Sequence, residues 1–215
     1  MKKITVLLVL IIIALTACTK EPPKPDTSIS DDALLEQAIA EENTELCTQI
    51  QSAIVKDACI AEVAKDAGSC ELIENEMSKD SCLTSIAEVS ADPGLCEKVV
   101  TNYWSDICFK NVALITEDET LCENVFDDED YNDCYVDVAI KVNDEKICKE
   151  VQALTKQLKC ITDIAKAKQD PMVCELISNK IDRETFCLTR LASFLEDKDI
   201  CNMITTETIK ENCLN

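Results

Sequence analysis

From residue 47 onward the apolar positions of this chain recur in a fixed phase. Counting from Cys47, Cys70, Cys96, Cys122, Cys148, Cys174 and Cys201, the third residue on is Ile50, Ile73, Val99, Val125, Val151, Ile177 and Ile204. The residue just before the cysteine is usually Leu, Ile or Val. These positions share one helical stripe, so each unit opens with a short amphipathic helix. Four residues before the cysteine stand Asn43, Asp66, Asp92, Asp118, Asp144, Asp170 and Asp197. All are residue types that cap helix N-termini, and Pro93 and Pro171 follow two of them, as a first helical position allows.

A second phase starts at Cys59, Cys82, Cys108, Cys134, Cys160, Cys187 and Cys213. The next residue is Ile60, Leu83, Phe109, Tyr135, Ile161, Leu188 and Leu214, and four on come Val63, Ile86, Val112, Val138, Ile164 and Leu191. Beside the latter sit Ala64, Ala87, Ala113, Ala139, Ala165 and Ala192, small enough for a neighbouring helix to come close. This predicts a second helix per unit. Stretches such as 101–105 between the two are short enough to force an antiparallel hairpin. No alternating or β-branched run competes, so the expected fold is all-α: an α-solenoid of seven stacked hairpins of about 26 residues over 44–215. Unit seven lacks the apolar and alanine positions that complete the second helix elsewhere.

The fourteen repeat cysteines explain how so small a unit holds. A hairpin of this size buries little surface alone, whereas a disulfide closing a loop of this length is worth about 3 kcal/mol on the chain-entropy model. The predicted pairs are Cys47–Cys59, Cys70–Cys82, Cys96–Cys108, Cys122–Cys134, Cys148–Cys160, Cys174–Cys187 and Cys201–Cys213. The members of each pair lie almost symmetrically about the turn, and the within-unit step barely varies while the between-unit step does. The scheme also leaves no repeat cysteine over, whereas pairing across units strands Cys47 and Cys213. Thiolate metal or cluster sites favour C-x-x-C clusters, which are absent.

The front of the chain is different. Lys2 and Lys3 precede an apolar run from Ile4 to Leu15 that is shorter than a bilayer span, the pattern of a signal peptide over 1–17. Leu15-Thr16-Ala17-Cys18 resembles the lipobox of bacterial-type lipoproteins, a resemblance that implies cleavage before Cys18 and a lipid on that residue. Residues 18–30, with three prolines, read as a tether. Residues 31–43 carry Leu34, Leu35, Ala38 and Ile39 at helical spacing, a capping helix.

Composition then narrows the chemistry. The 215 residues include no His and two Gly, which removes imidazole catalysis, His-ligated metals, phosphate loops and dinucleotide fingerprints. With 21 basic against 42 acidic residues the net charge is -21, against nucleic acid as a partner. No nucleophile motif is present, so neither an enzyme nor a cofactor is expected.

The repeat resembles the disulfide-bridged, tetratricopeptide-like helical repeats of exported microbial proteins, over residues 44–215. It is also similar to Cys-rich repeat lipoproteins. The unit is shorter than the 34-residue tetratricopeptide repeat and lacks its Trp-Leu-Gly-Tyr signature. The resemblance implies a solenoid used for protein contacts and carries over no site residue.

The expected role is therefore a membrane-anchored, extracytoplasmic scaffold that binds a protein or peptide and touches the membrane through its lipid alone, at a cell surface or in a periplasm. Tyr103, Trp104 and Tyr131 match no recurring apolar position and are the candidate contacts, near the turns of units three and four. Asp127, Asp128 and Asp130 are candidates for weak calcium binding; Asp128, Asp130 and Asn132 have the first three spacings of a calcium loop, but Asp133 stands where that loop needs Gly and Ala139 where it needs Glu. Glu71, Glu97, Glu123 and Glu175 share one repeat position and read as a solvated acidic face. The competing roles are a passive structural or surface-coat element and a cation binder.

Overall fold

All seven expected N-caps are in use. In the computed structural model, which describes residues 29–215, each accepts a backbone N–H two or three residues on: Asn43 from Glu45, Asp66 from Ser69, Asp92 from Gly94, Asp118 from Thr120, Asp144 from Lys146, Asp170 from Met172 and Asp197 from Asp199. The expected signal peptide, the expected lipidation site Cys18 and the expected tether through residue 28 lie outside the described residues.

In five units the capping residue leads directly into a first helix of one to two turns; in units five and seven it caps a turn that precedes Ile147–Glu150 and Ile200–Met203. In the first three units the first helix is α-helical, Thr44–Cys47, Ala67–Cys70 and Pro93–Cys96; in the last four it tightens to 3-10 geometry, as in Glu119–Asn124 and Pro171–Leu176. The second helix is longer: Ala53–Val63, Glu76–Ser90, Asn102–Thr116, Asp128–Val142 and Leu154–Lys168 in units one to five. It begins earlier than expected. Residues 102–105, read from sequence as part of the turn, form the first helical turn of unit three, with Thr101 as the N-cap.

The described residues form an all-helical array of hairpins without a strand, each hairpin locked by its own disulfide. All seven bonds follow the within-unit scheme, with Cα–Cα distances between 5.5 and 5.8 Å. The core is a ladder of repeat positions. Ile50, Ile73, Val99, Val125, Val151, Ile177 and Ile204 are buried, as are Ile60, Leu83, Phe109, Tyr135, Ile161 and Leu188. Ala87, Ala113, Ala139 and Ala165 are wholly inaccessible, consistent with close approach of helices at those points.

A second, polar ladder ties unit to unit. The residue two before the second cysteine is buried and bonds the loop of the following unit: Asp57 accepts from the backbone N–H groups of Glu74 and Asn75, Asp80 from Val100 and Thr101, Asp106 from Phe126 and Asp127. In unit four Asn132 accepts both bonds, from Gln152 and Ala153, on one oxygen. Each clamp satisfies two loop N–H groups, those of the next long helix's N-cap residue and of the residue before it, which make no backbone hydrogen bond of their own. The capping helix, Asp31–Glu41, uses the same device, its Asp31 accepting from Gln51 and Ser52 at 2.9 Å each. It is thus the second helix of an incomplete unit, burying Leu34 and Ala38 against unit one.

Units one and six depart from the rule for visible reasons. The step from Cys59 to Cys70 is three residues shorter than the other between-unit steps, and unit one's long helix stops at Val63 with Ala64 extended. The longer units add a turn and end on a left-handed residue: Ala91, Glu117, Asn143, Gln169 and Glu196 all have φ between 53 and 60°. In unit six the cysteine step grows from 12 to 13, and the extra residue is absorbed as a π-turn over Arg183–Leu188. The clamp shifts with it, to Glu184 three before Cys187, and Glu's longer side chain reaches Thr205 and Thr206.

Candidate functional site

Of the three aromatic candidates, one reaches solvent freely. Tyr103 stands in the first turn of the long helix of unit three, 65% exposed, and meets the Trp104 ring edge-on at 5.4 Å. Trp104 and Tyr131 instead fold back onto the core, half-buried. Tyr131 lies 5.0 Å from the buried Tyr135 ring, and burial together with the hydrogen bond to Tyr131 raises the Tyr135 phenol above its ordinary range.

Tyr103 shares its cleft with Phe126, which is not among the sequence candidates. A cleft of about 370 Å³ between units three and four is lined by Asn102, Tyr103, Asp106, Phe126, Asp127 and Asp130. A second cleft of about 340 Å³ shares Asn102 and Phe126 and adds Val99, Val100 and Phe109. Phe126 thus borders both, 68% exposed, its N–H held 2.7 Å from the Asp106 carboxylate. The clamp ties the Phe126 backbone while its ring stands in water. The signal was available: Phe126 and Val100 occupy a loop position filled elsewhere by Gln51, Glu74, Gln152, Ser178 and Thr205. Two large apolar groups at an otherwise polar, exposed position are the anomaly. Ile54 and Met77, at the repeat position of Tyr103, are exposed too and extend the apolar points across units one and two.

The acids of the candidate cation site do not converge. The Asp127 carboxylate caps its own helix, accepting from Glu129 and Asp130 at 2.9 and 3.1 Å. Asp130 pairs with Lys110, and Asp128 lies exposed in the first turn. Among the described residues no group of three or more His, Cys, Asp or Glu side chains is placed to hold a metal ion. The four glutamates after the first cysteines are exposed; Glu71 pairs with Lys79 and Glu175 with Arg183.

The arrangement presents two exposed aromatic rings lining a cleft whose carboxylates are already engaged, Asp106 in a clamp, Asp127 as an N-cap and Asp130 with Lys110. Fold and cross-links define the class, a disulfide-stapled all-α repeat whose seven bonds fit an oxidising, extracytoplasmic compartment. No helix among the described residues is long and apolar enough to cross a membrane. The chain matches no family model, no curated protein and no solved structure.

Proposed function

We propose that the protein is a lipid-anchored, extracytoplasmic scaffold that binds a basic protein segment or peptide at the cleft between units three and four. The observation that carries this reading is the pair of exposed rings, Tyr103 and Phe126, lining one cleft with Asp106, Asp127 and Asp130. Exposed aromatics beside a well-packed frame are the usual anchors of protein contacts, and the chain's net charge of -21 favours a cationic partner. The anchor is supported by the Leu15–Cys18 motif behind a short apolar run.

Mild cross-linking in membranes followed by pull-down tests the reading. A stoichiometric partner is expected, lost when Tyr103→Ala is combined with Phe126→Ala and weakened by salt. Recovery of no partner would favour the passive coat element. Cys18→Ser is expected to release the protein from the membrane fraction.

A further inference from the structure

The clamp ladder has one gap. At unit five the clamp position holds Leu158, and the backbone N–H groups of Ser178 and Asn179, which correspond to those bound at the other junctions, find no acceptor among the described residues. A cleft of about 420 Å³ opens at the same junction, lined by Thr155, Leu158, Lys159, Asp163, Lys166, Phe186 and Arg190. The π-turn of unit six contains Phe186, so the one-residue insertion and the cleft coincide.

Local charge inverts there as well. Between Leu154 and Leu195 basic residues outnumber acidic ones seven to five, in a chain where acids outnumber bases two to one. Both arginines of the protein, Arg183 and Arg190, lie in this stretch. Arg183 is engaged by Glu175 and the Ile177 carbonyl. Arg190 makes no ion pair among the described residues; its guanidinium lies over the Phe186 ring, 5.0 Å from the centroid. Lys159 and Lys166 share one carboxylate, Asp163, at 2.8 and 3.8 Å, which leaves the three cations of the cleft in excess.

We infer that this cleft binds an amphipathic anion, a small molecule with an apolar body and a single carboxylate or phosphate head. Leu158 and Phe186 form the apolar floor, and Arg190, flanked by Lys159 and Lys166, receives the head. A planar guanidinium already held over a ring is pre-set for such an oxyanion. The volume falls within the range of small-ligand clefts. A repeat position that serves stability at the other junctions is given up at the one where an apolar, cationic cleft replaces it, a pattern typical of sites kept for function. The inference is independent of the peptide cleft, which lies two units away.

Calorimetric titration of the purified, oxidised chain tests it with decanoate, decyl phosphate, decanol, decyltrimethylammonium and acetate, each below its micelle concentration. Decanoate or decyl phosphate is expected to bind at least tenfold tighter than decanol, and the preferred head identifies the ligand class. Arg190→Gln, at an exposed position, should erase that difference. Leu158→Asp, which restores a clamp acceptor, should abolish binding while raising the thermal midpoint. Equal binding of decanol or of the cation, absence of binding by both anions, or an unaltered preference in Arg190→Gln would overturn the proposal.

Discussion

The Asp80 carboxylate, on the long helix of unit two, holds Thr101 three ways with its neighbour: it accepts from the N–H groups of Val100 and Thr101 at 3.1 and 2.8 Å and from the Thr101 hydroxyl at 2.8 Å. Asp80 is 1% exposed, so these bonds replace its hydration. One residue of each such unit thereby sets where the next unit's long helix begins.

Removing the acceptor should cost more than the bonds are worth, because donors and a hydroxyl are left in a protein-lined site. Asp80→Ala is expected to destabilise the array by about 2–3 kcal/mol. Asp80→Asn should cost less than half as much, since Asn132 performs the same task in unit four with its carbonyl oxygen. Denaturant midpoints of the oxidised variants measure both. A loss no larger than that of an exposed Asp128→Ala control would show the clamp to be idle.

Glu184 makes the last clamp sensitive to acid. Burial opposes its charge, but hydrogen bonds from Thr206 and Thr205 outweigh burial and hold the carboxyl at about 2. A carboxyl lowered in the folded state adds stability that is complete above its unfolded value and disappears as pH falls through the folded one. That window runs from roughly pH 4.5 down to about 2 and is worth on the order of 3 kcal/mol. Unit seven should therefore loosen in this window, read by amide exchange along Glu207–Leu214. In Glu184→Gln the same amides should show no acid step beyond that of the other units.

Exposure ranks the disulfides. Cys213 is partly exposed while the other thirteen repeat cysteines are buried, and its helix, Glu207–Leu214, buries no residue. Limited reductant should open Cys201–Cys213 before any other bond, because exchange needs access to the sulfur. Non-reducing peptide maps of untreated protein should show Cys96 joined to Cys108 and Cys122 to Cys134, with no Cys108–Cys122 peptide. Replacing Cys201 and Cys213 by Ser should soften that end alone, whereas the same change at Cys122 and Cys134 should lower helicity through the middle by nearest-neighbour coupling.

The left-handed helix ends offer a gain in stability. Ala91 sits at φ 53° and Glu117 at φ 60°, where a Cβ is strained. Ala91→Gly relieves that strain but enlarges the unfolded ensemble, for an expected net gain of about 0.5 kcal/mol. The thermal midpoint should rise by about 1–2 °C in a chain of this length. Gly at the extended Ala64, φ -62°, should instead lower it.

The period, the helical hairpins, the N-caps and the disulfide partners are all legible in the sequence, because each is a local matter. Asp92 caps an N–H two residues away, and Cys96 meets Cys108 across a single turn. The clamps are not local. Two residues before the second cysteine stand Asp57, Asp80 and Asp106 in units one to three but Asn132, Leu158, Thr185 and Glu211 in the others, and a carboxylate on a helix reads as solvated until the next unit is laid against it. The same stacking places Thr101 at a helix start rather than inside a turn, directs Trp104 and Tyr131 inward, and leaves the Phe126 ring outside while Asp106 binds its backbone. It also turns the substitution of Leu158 and the extra residue of unit six from two irregularities into one cleft. Spacing along the chain decides what neighbours in sequence do. Burial, and with it the meaning of a polar or apolar side chain at a repeat position, is decided by the unit that packs on top.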